Sequence, residues 1–293
     1  MELGRVGVWS GQVGRMPAAA VREAVVVIEE LGFRTIWYPE SGAKEAMSQA
    51  AILLAASREM VVAPGIANIW ARDPMAMING ARTLGDAFPD RFLLGIGVSH
   101  APSVARRGHD YRRPLSTMRT YLDGMDAAPY IGPEPSSPPE IVLAALGPRM
   151  LRLAAQRTRG AHPYFVPVEH TTFARAELGP EPLLAPEQAV VLSTDPAEAR
   201  RIARIHTRHY LALDNYRNNL LRLGWSDDDV AGDGSDALVD AVVAWGDVAA
   251  IQERVAAHLE EGADHVCVQV LNGPADEFPV AELRRLSGPL LEL

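Results

Sequence analysis

The chain has one cysteine, Cys267, and one lysine, Lys44. A single thiol excludes an internal disulfide and a thiolate metal cluster. Its setting in DHVCVQVL predicts a small buried core residue. A single lysine in the polar GAKEA segment leaves Schiff-base chemistry with one poorly placed candidate. Long apolar runs are also missing: none approaches the roughly 20 residues of a membrane span. The start, MELGRVGVWSG, has neither the basic region nor the apolar stretch of a signal peptide, so the cytoplasm is the expected location. Positive charge is scarce, with a net charge of -9, and is scattered rather than striped, which argues against a nucleic-acid partner. What is present, 48% hydrophobic and 22% charged residues, suits a soluble globular protein.

Short runs rich in Val, Ile and aromatics recur, each followed by a longer stretch with helical spacing. Eight read as strands: 5–10 (RVGVWS), 34–39 (RTIWYP), 60–67 (MVVAPGIA), 92–97 (FLLGIG), 140–145 (EIVLAA), 162–167 (HPYFVP), 188–193 (QAVVLS) and 264–271 (DHVCVQVL). They lack strict alternation, which suits strands buried on both faces of a parallel sheet. Between them, PAAAVREAVVVIEELG carries Pro17 for a first helical turn and stops at Gly32. AAIQERVAAHLEEGAD repeats the pattern, with Asp247 as N-cap and Gly262 as stop. Eight such units predict an α/β fold, a (β/α)8 TIM barrel. The chain has 293 residues, a size that such barrels reach as one domain, and no boundary interrupts it, so residues 1–293 read as a single domain. Two regions depart from the repeat. GPEPSSPPE, 132–140, reads as an exposed connection, and 195–245 reads as a helical insertion before the last strand that could cover the barrel mouth or make a subunit contact.

In such barrels the chemistry sits at the C-terminal ends of the strands. His100 follows the fourth strand, and Gly95 and Gly97 let something approach that strand's backbone closely. Position alone leaves His100 open between a functional group and a surface histidine. Trp9 and Ser10 end the first strand, Glu40 and Ser41 the second, Ala67 and Asn68 the third. After the fifth, Leu146, Gly147 and Pro148 turn into a helix whose N-terminus, with Arg149, offers a weak anion site. Glu169, His170 and Thr171 follow the sixth, either as binding groups or as caps of the next helix. Trp9 and Trp37 read as core, Trp70 as a mouth residue. GIGVSH lacks the third glycine of a dinucleotide fingerprint. His206 and His209 share a helix face without an evident third ligand, and Asp227 to Asp229 read as loop and helix start. No metal is expected.

PGIANIWARDPMAMINGARTLGDAFPDRFLLGIGVSHAP, then AALGPRMLRLAAQRTRGAHPYFVPVEH, resemble the luciferase-like (bacterial luciferase) superfamily and within it the branch of oxidoreductases that use coenzyme F420. EQAVVLSTDPAEARRIAR, LDNYRNNLLRLGW and GADHVCVQVL resemble the same branch. The resemblance implies a barrel, usually a homodimer, that holds the tricyclic deazaflavin at its mouth and passes a hydride to or from a small organic substrate. It implies that Ala67 and Asn68 mark a non-prolyl cis peptide behind the ring. Gly97, Val98 and Ser99 would lie beside the ring, and Leu146, Gly147, Pro148 and Arg149 would meet the phosphate-bearing tail. Glu169 and His170 would meet tail or substrate.

Departures from the family pattern restrict the activity. Its glucose-6-phosphate dehydrogenases carry Asp-His where this chain has Glu40-Ser41, and Glu where it has His100, so sugar-phosphate oxidation is not implied. His100 is the natural replacement for the proton carrier, with Glu40 second. Two other readings stay open: an FMN-dependent monooxygenase of the same superfamily, and a deazaflavin-binding protein without turnover. A phosphate-binding isomerase or aldolase barrel is weaker, because its lysine or paired acid and base are not seen at the strand ends.

Overall fold

A computed structural model describes residues 1–272 and 276–293. Strand β1 (Val6–Trp9) leads through a 3-10 turn (Gln12–Gly14) into α1 (Ala18–Glu30), β2 (Thr35–Tyr38) into α2 (Ala46–Ala56), and β3 (Val61–Pro64) through the short β4 (Ala67–Asn68) into α3 (Pro74–Ala87). Next come β5 (Leu93–Gly97) with α4 (Ala101–Ala105) and α5 (Pro114–Asp126), β6 (Glu140–Leu143) with α6 (Pro148–Arg157), and β7 (Gly160–Ala161) with α7 (Val168–Leu178). The pair β8 (Leu183–Leu184) and β9 (Glu187–Val191) precedes the insertion, which holds α8 (Pro196–Leu211), α9 (Asp214–Arg222), α10 (Asp236–Val242) and β10 (Val243–Trp245). Then follow α11 (Val248–Glu260), β11 (Val266–Val270) and α12 (Val280–Leu291).

All strand pairings are parallel, in one sheet of order β10-β9-β11-β1-β2-β3 and another of order β4-β5-β6-β7-β8. Hydrogen bonds join the two sheets at both seams. On one side Val62 bridges Phe92, and the Val62 amide donates to the Arg91 carbonyl at 2.9 Å. On the other, the Ala185 and Glu187 amides donate to the carbonyls of Ala161 and Pro163, each at 2.9 Å. The strands thus make the ring of a TIM barrel, as expected.

Burial explains why these segments are strands. Every residue of β1, β2, β3, β5, β9 and β11 is buried, so each strand faces apolar surroundings on both sides. Inside the ring lie Trp9, Trp37, Ala63, Leu93, Val142, Ala189 and Cys267. Outside it, Val8, Ile36, Val62, Leu94, Leu143 and Val268 pack on the helices, α1 contributing Val21, Ala24, Val25 and Ile28 from one face. Asp247 caps α11 by accepting from the Ala250 amide at 3.0 Å, and Gly32 and Gly262 take φ of +93° and +99° just beyond α1 and α11. Among the described residues no helix is long and apolar enough to cross a membrane.

Three sequence expectations need correction. HPYFVP, 162–167, is not the sixth strand; that strand is Gly160–Ala161, and the aromatic run after it is loop, apolar because the insertion covers it. The third strand stops at Pro64, and Ala67–Asn68 forms a separate strand on β5. The insertion is not wholly helical, since β10 extends the sheet beside β9.

Candidate active site at the strand ends

Around β3, β5 and β6 the C-terminal strand ends form a part-exposed shelf of small and aliphatic residues: Gly65, Ile66, Val98, Ser99, Ala144, Leu146 and Gly147. Two close contacts dictate its glycines. A β-carbon at Gly95 would stand 2.1 Å from the Pro64 carbonyl oxygen, and one at Gly97 would stand 2.7 Å from the Ile66 side chain and 3.0 Å from Ala144. What approaches these glycines is therefore the barrel itself, through Pro64, Ile66 and Ala144. The cis peptide lies at Gly65–Ile66, ahead of the Ala67–Asn68 position that the resemblance indicated. Ala67 and Asn68 are buried beneath the shelf. The Asn68 side chain accepts from the Trp70 amide at 2.9 Å, and the Trp70 indole N–H donates to the Val98 carbonyl at 2.9 Å. Trp70 thus ties the loop after β4 to the loop after β5, while Trp9 and Trp37 are buried in the core.

Glu40 lies under the same loops, 8% exposed. One carboxylate oxygen accepts from the Ala46 amide at 3.0 Å and from Arg72; the other accepts from the Asn68 amide at 2.7 Å and from Arg72 at 3.0 Å. Four donors occupy it, so Glu40 fastens the second and third loops together.

His100 stands at the shelf's edge, between β5 and α4, after Ser99 with φ of +58°. Its Nδ1 lies 3.0 Å from Asn215 Oδ1 on α9, and its ring is 5.3 Å from Tyr216. An amide oxygen only accepts, so Nδ1 carries the proton and Nε2 keeps a free lone pair. Burial lowers its pKa below the ordinary histidine value, partly offset by the Asn215 hydrogen bond, with nearby His209 lowering it further. Neutral imidazole is therefore the form at pH 7.

The insertion settles over the mouth. Tyr164 and Phe165, from the loop after β7, pack against Tyr210 of α8 and Tyr216 of α9, with ring centroids 5.0 Å apart for Tyr164 and Tyr210 and 5.6 Å for Phe165 and Tyr216. Tyr164 also lies 4.9 Å from Trp9, and His206 joins the cluster 4.8 Å from Tyr210. The insertion thus covers the barrel axis and leaves the shelf to one side.

Farther along the shelf, α6 begins at Gly147 with no side chain capping it and with Pro148 in its first turn. Arg149 points to solvent. The guanidinium beside this terminus belongs instead to Arg222 of α9, its three outer atoms 3.7 to 3.9 Å from where a β-carbon of Gly147 would be. Arg222 donates to Asn219 Oδ1 at 2.8 Å, and Asn219, 1% exposed, leaves its Nδ2 without a partner. His170 is wholly buried and its Nε2 donates to the Leu146 carbonyl at 2.9 Å, supporting the loop from behind; burial pushes its pKa down to about 4. Glu169 is exposed in the first turn of α7, where its charge suits the helix dipole. Thr171 bonds His258 Nδ1 at 2.7 Å, inside the fold.

Sequence reasoning passed over Arg222, Asn219, Asn215 and Glu187. Glu187 opens β9 inside the barrel: one oxygen accepts from the Phe165 amide at 3.3 Å, the other has no partner, and burial raises its pKa to about 8. A charged residue opening the apolar run EQAVVL was the available signal for it.

Comparison with known proteins agrees with this architecture. The family described as luciferase-like monooxygenase matches residues 2–265. A putative coenzyme F420-dependent oxidoreductase of Mycobacterium tuberculosis is 29% identical over 126 residues, 42% of this chain and 36% of that protein, so the match spans well under half of the relative's length. Among solved structures, an F420-dependent secondary alcohol dehydrogenase in complex with an F420-acetone adduct superposes with a TM-score of 0.78 at 12% identity, covering 99% of both chains. The oxygenating constituent of 3,6-diketocamphane monooxygenase from a Pseudomonas putida plasmid, in complex with FMN, superposes with a TM-score of 0.70 at 16% identity, again covering 99% of both.

Proposed function

Since the chain belongs to the luciferase-like monooxygenase family, we propose that its shelf binds coenzyme F420 and that the protein is an oxidoreductase passing a hydride between this deazaflavin and a small organic substrate bearing a carbonyl, an imine or an electrophilic double bond. The carrying observation is the continuity of the shelf. It runs part-exposed from Gly65 and Ile66 past Val98, Ser99 and Ala144, and it ends at an uncapped helix N-terminus suited to a phosphate-bearing tail. The cofactor would therefore meet Gly97, Val98 and Ser99 with its ring, and Leu146, Gly147, Pro148 and Arg149 with its tail. Ala67, Asn68 and His170 support that surface from within.

Bound deazaflavin supplies two-electron hydride chemistry. The chain's own part is to orient both partners and to handle one proton. Neutral His100, held through Nδ1 by Asn215, takes a proton at Nε2 from a substrate hydroxyl as the carbinol hydride leaves; in the reverse direction its imidazolium returns that proton to a carbonyl oxygen. Glu40 has both oxygens committed and holds the loops in place. The chain acts as a single domain in this reading, and as a homodimer.

Titration with oxidised and reduced F420, and separately with FMN, followed by cofactor fluorescence, tests the reading. Saturable binding of F420 in preference to FMN supports it. Preferential FMN binding with oxygen-coupled turnover would make the protein a monooxygenase, the reading that the FMN-bound neighbour favours. Tight F420 binding with a hydride-exchange rate indifferent to substrates and to His100→Ala would make it a binding protein without turnover.

A further inference from the structure

We infer that Arg222 and Asn219, on helix α9 of the insertion, bind the anionic end of the ligand together with the N-terminus of α6, and so determine selectivity for a phosphate-bearing molecule over its tail-free ring. This rests on the reading of the shelf as a cofactor site and adds residues of the insertion to it.

Electrostatics is the first ground. The N-terminus of α6 is the positive end of a ten-residue helix dipole and is uncapped. The Arg222 guanidinium lies 3.7 to 3.9 Å from where a β-carbon of Gly147, the residue that opens this helix, would be. Two positive groups set together, the guanidinium without a carboxylate partner among the described residues, favour an anion between them. The other arginines of the insertion do not share this situation: Arg200, Arg201, Arg204, Arg208 and Arg217 each pair with an aspartate or glutamate, whereas among the described residues Arg222 pairs with none.

Asn219 is the second, independent ground. Its side chain is 1% exposed, its Oδ1 accepts from Arg222, and its Nδ2 donates to nothing. Leaving a buried N–H₂ unpaired is costly, and most buried polar groups avoid it. The Oδ1 contact sets this amide beside the Arg222 guanidinium. Guanidinium, amide N–H₂ and helix-terminal backbone are all donors, a set that recognises a phosphate or phosphodiester and rejects a neutral tail.

Equilibrium binding measured for the wild type, Arg222→Ala, Arg222→Lys and Asn219→Ala tests the inference. The probes are F420, the corresponding deazaflavin without its phosphate tail, and inorganic phosphate followed by thermal shift. For Arg222→Ala the expected result is a loss of about tenfold or more in F420 affinity, with tail-free ring binding unchanged. Arg222→Lys keeps part of the difference, and Asn219→Ala loses less than Arg222→Ala. Equal loss for both deazaflavins, or loss for neither, overturns the inference. If the wild type binds neither deazaflavin, the cofactor reading falls and phosphate decides the inference by itself: thermal protection lost in Arg222→Ala supports it, and no protection of the wild type overturns it.

Discussion

Glu40 and Arg72 meet side on, both carboxylate oxygens against the guanidinium, with side chains only 3% and 10% exposed. The pair spans the loops after β2 and β4, and Arg72 reaches on to the half-exposed Glu45 at 2.5 Å. Glu40→Gln keeps one acceptor but removes the buried charge facing the guanidinium, leaving it only the half-exposed Glu45. Chemical denaturation should show a loss of about 3 kcal/mol, the usual cost of breaking a buried pair from one side. Ligand affinity should fall with it while the pH profile of turnover keeps its shape. Unchanged stability with an altered pH profile would instead make Glu40 the proton carrier.

Gly95 and Gly97 give an ordered pair of substitutions. At Gly95 the new methyl meets backbone, the Pro64 carbonyl, which no side-chain rotation can relieve. At Gly97 it meets the movable Ile66 side chain and the Ala144 methyl. Gly95→Ala should therefore lower Tm far more than Gly97→Ala, for which overpacking of about 1–3 kcal/mol is expected. Gly97→Ala should also weaken ligand binding at the shelf. The reverse order of Tm would contradict the packing described.

Acid should destabilise the protein through its buried histidines. His162, His170, His258 and His265 are at most 1% exposed, and burial lowers each pKa from 6.5, to about 3 for His258 and about 4 for the others. Between about pH 6.5 and 4 the unfolded chain binds protons that the folded chain refuses, so stability falls as pH falls through that window. Glu187 works in the opposite sense. Its pKa is raised from 4.5 to about 8, so the folded state stays protonated while the unfolded state ionises, and stability falls as pH rises between those values. Four groups outweigh one where the windows overlap. Glu187→Gln should remove the opposing slope, about 1.4 kcal/mol per pH unit, so that the variant gains Tm over the wild type steadily from pH 5 to 8. A constant Tm difference across that range would contradict the buried carboxyl.

Most of the barrel was legible because its strands carry their own signature. VGVW, TIWY and VCVQV are apolar on both faces, and that pattern survives without knowledge of their neighbours. Gly160–Ala161 carries no such signature, since two small residues suffice where the ladder comes from both sides. HPYFVP misled for a physical reason: Tyr164 and Phe165 are apolar to meet Tyr210 and Tyr216, and apolarity reports burial rather than strand geometry. At the site, residues at strand ends such as His100, Gly97 and Gly147 could be found by position. Asn215, Asn219 and Arg222 could not, because the packing of α9 across the mouth, not their place in the chain, brings them there.

Cys267 lies at the centre of the barrel, 0% exposed, with its sulfur 3.3 Å from the Pro186 carbonyl and 3.8 Å from His162 Nδ1, and burial raises its pKa well above the usual thiol value. As the chain's only thiol, it makes the native protein silent toward alkylating reagents until the ring of strands parts. The labelling rate is therefore a clock for that opening, and a cysteine introduced anywhere on the surface would take a spectroscopic probe alone.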